Sequence, residues 1–287
     1  MTLNPMNPIM PPSVNSMPSS PPPVKWIPLW SSLVFLCRSP KLLAWSLVLV
    51  LFTFALTWGG YLLAVSFIDA RTAGFFQQAP DSTGIWGWLK DLSWLAMKWS
   101  FMVISRVAAF YLAFMVAYTL SAPGYVFLSS AAERKQAGLA FEEDAAFHLK
   151  GIVTDLWEGL KIGALGLVVT GMALIVSFIP LLGQLLVVLL YSYYSTLMFL
   201  DYPTSRRRWS LGRKIGWLSR HGRPSLHLGL LPAVISLIPI VNIFLMALIF
   251  PLFTVHVTLN FGLLEQRAKE EAAALTAQSP QTSSAIT

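Results

Sequence analysis

The side chains of this 287-residue chain that could do chemistry are few and widely spaced. Arg106 stands out, because it falls within an apolar run from Trp94 to Leu120, and a cation at the centre of a bilayer costs about 2.5 to 3.5 kcal/mol. Such a cost suggests use, as an attractor for an anion near mid-membrane. Equally, the span could begin near Val107, with Arg106 and Lys98 reaching the outer interface on their aliphatic stems. His256 lies in another apolar run, as a proton carrier or as a histidine hydrogen-bonded between helices. His148, His221 and His227 are scattered. Arg206, Arg207 and Arg208 could gather anions or anionic lipid, or simply fix orientation. There is no HExxH, Gly-rich phosphate loop or GxSxG, and the single cysteine, Cys37, has no Cys/His cluster around it. No catalytic residue, metal or cofactor is therefore expected.

The elements that must position these groups follow from composition. The chain is 55% hydrophobic and 11% charged, with a mean hydropathy of +0.63, more apolar surface than one soluble domain can bury. Lipid must cover the remainder. Lipid offers the backbone no hydrogen bonds, so spanning elements are helices or closed barrels, and the long unbroken apolar runs exclude alternating barrel strands. The expected fold is an all-α integral membrane protein. The net charge of +7 sits in the loops and reads as topology rather than as a nucleic-acid surface.

Residues 1–24 are rich in proline and serine and read as a disordered tail, followed by a single membrane domain over 25–264 and a polar C-terminal tail over 265–287. The tail lacks the basic n-region and apolar h-region of a signal peptide, so the first apolar segment is expected to stay in the protein. That segment, Leu42 to Ile68, holds 27 residues, roughly 40 Å of helix against a hydrocarbon core of about 30 Å. Trp94 to Leu120 is the second long span, and Trp86, Trp88 and Trp94 form an interfacial belt before it. From Phe141 to Leu160, apolar residues recur at helical spacing among Glu142, Glu143, Asp144, Asp155 and Glu158, which predicts an amphipathic interfacial helix.

Two apolar blocks follow, Ile162 to Leu200 and Leu226 to Leu264, each interrupted by a proline in a repeated motif. Ser177-Phe-Ile-Pro-Leu-Leu-Gly-Gln-Leu-Leu186 aligns with Ser236-Leu-Ile-Pro-Ile-Val-Asn-Ile-Phe-Leu245, two copies of one helical hairpin. Pro180 and Pro239 suit the first turn of a helix, and Gly183 and Asn242 tolerate turn dihedrals, so these four residues mark the tips. The arm Leu226 to Ile238 has 13 residues, roughly 20 Å as a helix, and is expected to re-enter rather than cross; the depth of the first hairpin stays open. The free N–H groups of each second arm could hold an anion, or the turn's own backbone could cap them.

Sidedness follows from Lys and Arg in the short loops. Residues 201–223 carry Arg206, Arg207, Arg208, Arg213, Lys214, Arg220 and Arg223 against Asp201 alone, and Lys25, Arg38 and Lys41 precede the first span without an acid. Both termini are expected on the cytoplasmic side.

Ser-Phe-Ile-Pro-Leu-Leu-Gly-Gln (177–184), Leu-Asp-Tyr-Pro (200–203) and Leu-Ile-Pro-Ile-Val-Asn (237–242) resemble the CysZ sulfate permease family, which includes eukaryotic etoposide-induced relatives. Ser-Ala-Pro at 121–123 and the Glu133–Arg134 pair are similar to the family's segment after its second long helix. The likeness runs roughly from Trp26 to Leu264. It implies two long transmembrane helices plus two hemi-penetrating hairpins, assembled as homo-oligomers in the bacterial inner membrane, that pass sulfate. The family's Leu-Pro-Gly-x-Arg-Arg sulfate segment corresponds here to Cys37-Arg-Ser-Pro-Lys-Leu-Leu-Ala-Trp45, which keeps the proline but lacks the glycine and the arginine pair. Arg38 and Lys41 stand in as anion-binding residues, with lysine a point charge lacking arginine's bidentate fork.

The expected function is a permease for sulfate or a related oxyanion, without ATP drive because no nucleotide-binding motif is present. The expected partners are a small inorganic anion, membrane lipids and further copies of the chain. The alternative is a non-transporting scaffold that recruits a partner through its cytoplasmic helix and tail. A polar path through the bundle would favour transport; Arg106 at the headgroups and sealed hairpin tips would favour the scaffold.

Overall fold

The computed structural model describes residues 26–77, 84, 86–138, 149–238 and 242–278. Eight α-helices and one π-helical turn account for nearly all of them: α1 Leu29–Cys37, α2 Pro40–Gln77, α3 Gly87–Ala137, α4 Leu149–Ser177, α5 Leu182–Ser205, α6 Leu211–Arg220, α7 Gly222–Ser236, the π turn Asn242–Met246, and α8 Ala247–Gln278. Five of these, α2, α3, α4, α5 and α8, contain stretches long and apolar enough to cross a membrane. The chain is a helical, multi-pass membrane protein.

Helices α2 and α3 form a long antiparallel pair whose register stays constant along its length. Ser39 just before α2 meets Lys135, Leu49 lies on Gly124, Thr53 bonds Ser121 at 2.8 Å, Gly60 faces Ala113, and Asp69 pairs with Arg106. Every step along α2 is matched, to within a residue or two, by a step back along α3. Small side chains make this possible: Ala109, Ala113, Ala117 and Ser121 recur every fourth residue on the buried face of α3, and small residues let helix backbones approach where lipid offers no hydrophobic drive. The 38 residues of α2 reach about 57 Å, so the pair outruns the roughly 30 Å hydrocarbon core. At its far end Trp94 packs against Phe75 and Phe76 at 5.3 and 5.9 Å between ring centres, while Trp86 and Trp88 stay exposed.

Helices α4 and α5 form a hairpin closed by the turn at 178–181. Leu181 adopts φ 63° and ψ −61°, the γ-turn geometry that reverses the chain, directly after Pro180. A side chain at Gly183 would strike the carbonyl oxygen of Val176, so glycine is what lets the two arms meet at the tip. In the second repeat α7 has 15 residues, and the chain passes through the π turn into α8; Pro239 lies outside the described residues, whereas Asn242 opens the π turn, its N–H bonded to the Ile238 carbonyl at 2.7 Å.

Two elements differ from expectation. The amphipathic stretch does not stand as a separate helix: residues 141–148 lie outside the described residues, and from Leu149 the helix runs unbroken into the apolar arm of α4. The apolar continuation at Ile162 simply prolongs the same backbone hydrogen bonding. Second, the basic stretch 201–223 contains α6, which turns Lys214, Trp217 and Leu218 inward and leaves Arg213, Ile215 and Arg220 outside.

The packed centre belongs to α8. Of its apolar window 61% is buried, against 17% for the windows of α2, α3 and α4, whose outer faces carry large apolar side chains suited to lipid. Phe250 of α8 collects the rings of Tyr118, Tyr125, Phe199 and Tyr202 within 4.7 to 5.9 Å. Thr258 bonds Ser129 of α3 at 2.8 Å, and Thr196 of α5 donates to the Ser225 carbonyl of α7 at 2.5 Å. These hydroxyl bonds fix helix rotations that apolar contacts alone would leave free.

Candidate functional site

The turn between α1 and α2 is built from Arg38, Ser39, Pro40 and Lys41. The Ser39 N–H donates to the Leu36 carbonyl at 3.1 Å and its own carbonyl accepts from Leu43 at 2.9 Å, which ends α1 and starts α2 within two residues. Pro40 occupies the first helical position, where its missing N–H costs nothing. The N–H groups that follow, of Lys41 and Leu42, have no carbonyl of their own helix to reach. Arg38 and Lys41 are both exposed at this corner.

From the end of α3, Lys135 reaches the same turn. Its ammonium donates to the buried Ser39 hydroxyl and lies 5.0 Å above the Phe35 ring. Sequence reasoning missed this third cation. Its only signal would have been the constant register of α2 on α3, which places residue 135 opposite residue 39. Among the described residues, none of Arg38, Lys41 and Lys135 forms an ion pair with a carboxylate.

The arginine-rich stretch behaves differently. Glu133 of α3 is held by Arg206 at 2.6 Å and Arg207 at 2.7 Å, and Arg207 also meets Glu265 at 3.5 Å and the Phe261 ring at 4.9 Å. Trp217 donates to Glu265 at 3.0 Å. Lys214, with no exposed side-chain surface, donates to Asp201 at 2.6 Å, and Ser205 supports the same carboxylate. Glu158 accepts from Lys161 at 2.6 Å and from the first N–H of α6 at 2.8 Å. Three of the seven basic residues of 201–223, Arg206, Arg207 and Lys214, are thus paired with carboxylates that tie α3, α5, α6 and α8 together.

Arg106 pairs with Asp69 at 2.8 Å, the two side chains 28% and 51% exposed. Asp69 immediately follows the apolar segment Leu42–Ile68 and lies 29 residues beyond Pro40, about 43 Å along α2. The pair thus lies just past the apolar segment of α2, at the end away from the Arg38–Lys41 turn.

At the first hairpin tip the donors expected to hold an anion are already engaged: Leu182 N–H bonds Pro180 O at 2.7 Å and Gly183 N–H bonds Ile179 O at 2.9 Å. Phe178 and Leu181 at the tip are 86% and 88% exposed, an apolar surface. The second tip falls partly outside the described residues. His256 bonds Ser32 at 2.9 Å, and Asn260, one turn on, clasps both the N–H and the carbonyl of Ile27 at 3.1 Å. That arrangement fastens α1 to α8. Among the described residues no group of three metal-ligating side chains occurs.

No curated protein matches this chain. The family described as sulfate transporter CysZ/etoposide-induced protein 2.4 matches residues 29–247, from the first turn of α1 to the start of α8, and the chain belongs to that family.

Proposed function

We propose that this protein is an inner-membrane permease for sulfate or a related oxyanion, moving its solute down a gradient without nucleotide hydrolysis. The observation that carries this reading is the corner where Arg38, Lys41 and Lys135 surround the N-terminus of α2 without a paired carboxylate. Three cations and free backbone N–H groups attract a doubly charged anion and replace part of its hydration. The side chains are exposed, so the anion is held weakly enough to leave, as conduction requires. Arg106, paired with Asp69 at 2.8 Å, is the cation that stands along the same helix pair on the far side of the apolar segment.

In this topology both termini and the 201–223 segment face the cytoplasm, the α4–α5 and α7–α8 hairpins re-enter or cross with their tips inside the bilayer, and copies of the chain assemble side by side through the lipid-facing surfaces. The scaffold reading is favoured by the self-satisfied turn donors at Leu182 and Gly183 and by the end-of-span position of Arg106. The two readings separate on flux. Radiolabelled sulfate uptake into proteoliposomes should exceed that of empty vesicles and saturate. The Arg38→Ala, Lys41→Ala double variant should lower uptake roughly tenfold for each cation removed. Correctly inserted wild-type protein that carries no sulfate would sink the permease reading for this anion.

A further inference from the structure

A line of hydroxyl groups descends between α2, α3 and α8 from the cationic corner, and the family assignment leaves it unused. Ser46 is seven residues past Ser39, about 10 Å along α2; by the constant register it lies level with Leu128 of α3. Tyr125 follows, then the Thr53–Ser121 pair, then Tyr118, which is seventeen residues back from Lys135, about 26 Å along α3. The line covers most of a hydrocarbon core of about 30 Å.

Three of its members are chemically anomalous. The buried oxygens of Ser46, Tyr118 and Tyr125 make no hydrogen bond of regular geometry to any described residue, although Tyr125 is entirely buried and its hydroxyl is directed toward Thr53. Thr53 itself is bonded to Ser121 at 2.8 Å. A buried hydroxyl without a partner costs stability, and phenylalanine or alanine would fill the same space at no such cost. The tyrosine rings are firmly placed: Phe250 lies 4.9 Å from Tyr118 and 4.7 Å from Tyr125. Asp201, beside Tyr202, is neutralised by Lys214, so no free negative charge opposes an anion from that side.

We propose that the buried hydroxyls of Ser46, Tyr125 and Tyr118 are neutral rungs that coordinate the oxyanion as it crosses, each donating its O–H in turn. The inference rests on the permease reading and deepens it. A cation buried at this depth would trap a doubly charged anion; hydroxyl donors replace hydration without a compensating charge and let it go. Transit is then set by hydroxyls, and capture by the cationic corner.

The test is sulfate uptake by proteoliposomes holding wild type, Tyr118→Phe, Tyr125→Phe, Ser46→Ala or Tyr191→Phe, each protein also followed by thermal unfolding in detergent. Tyr191, whose hydroxyl bonds Thr170 at 3.3 Å, is the control away from the line. Expected is about a tenfold fall in uptake for each rung variant, with the unfolding midpoint unchanged or raised and the control transporting normally. Uptake equal to wild type in all three rung variants overturns the inference and leaves the permease reading intact. Loss of uptake together with a lowered midpoint also overturns it, because it assigns the hydroxyls to packing. Wild type that carries no sulfate removes the inference with the reading beneath it.

Discussion

Lys214 shows how far a residue's role can depart from its count. As one of seven basic residues between 201 and 223 it contributes to a topological charge; folded, it is fully buried and donates to Asp201 at 2.6 Å. Truncating one partner of such a pair leaves the other charge uncompensated, which typically costs about 3 to 5 kcal/mol. Lys214→Ala should therefore lower the unfolding midpoint sharply in detergent, and Lys214→Ala with Asp201→Asn should recover much of the loss. A double variant as unstable as the single one would refute the pairing. The Arg106–Asp69 pair is half exposed, and exposed pairs are worth about 0 to 1 kcal/mol. Asp69→Asn should thus leave the midpoint almost unmoved. Arg38 and Lys41 were legible through the resemblance to the family's sulfate segment, and Arg106 through its place in an apolar run. Lys135 and the partners of Glu133 were not, because each joins residues that only the helix register brings together.

At the scale of elements, close backbone approach decides which glycines matter. Gly229 of α7 lies against the Ser192 carbonyl of α5, and Gly183 against the Val176 carbonyl at the hairpin tip, both leaving no room for a β-carbon. Gly163 and Gly171 on α4 face open space. Gly229→Ala and Gly183→Ala should each destabilise by about 1 to 3 kcal/mol, since a backbone carbonyl cannot swing aside. Gly163→Ala and Gly171→Ala should stabilise by up to about 1 kcal/mol through helix propensity. Unfolding midpoints that failed to separate the two pairs would show that α5 does not pack on α7 and on the end of α4 as described. The long helices and the first proline turn were legible because apolar runs and proline punctuation are local signals. Helix α6 was not: its inward face holds a lysine, whose buried pairing no periodicity reveals. The continuity of residues 149–160 with α4 was missed because a change from amphipathic to apolar composition looks like a boundary, although the backbone hydrogen bonds pass straight through it.

At the scale of the whole molecule, the α1–α2 turn, the end of α3, the 201–223 segment and residues around Glu265 share one end of the bundle, joined by the Lys135–Ser39 contact and the Glu133–Arg207–Glu265 chain. The positive-inside argument, applied to two separate stretches of sequence, thus concerns a single face. Cys37 is exposed on that face, next to Arg38, and is the sole cysteine of the chain. The native protein therefore carries its own topology probe. A membrane-impermeant maleimide should label Cys37 in inverted inner-membrane vesicles and leave it unlabelled in intact spheroplasts, with Cys37→Ser as the blank. Labelling of spheroplasts instead would turn the molecule over. Under the permease reading, Arg38, Lys41 and Lys135 would then meet the incoming anion first, and the Arg106–Asp69 end would become the cytoplasmic exit. Addition of sulfate sharpens the measurement, because under the permease reading an anion between Arg38 and Lys41 would cover the neighbouring thiol. Slower labelling in sulfate than in chloride at matched ionic strength would tie the face to the solute, and equal rates would detach the cationic corner from binding.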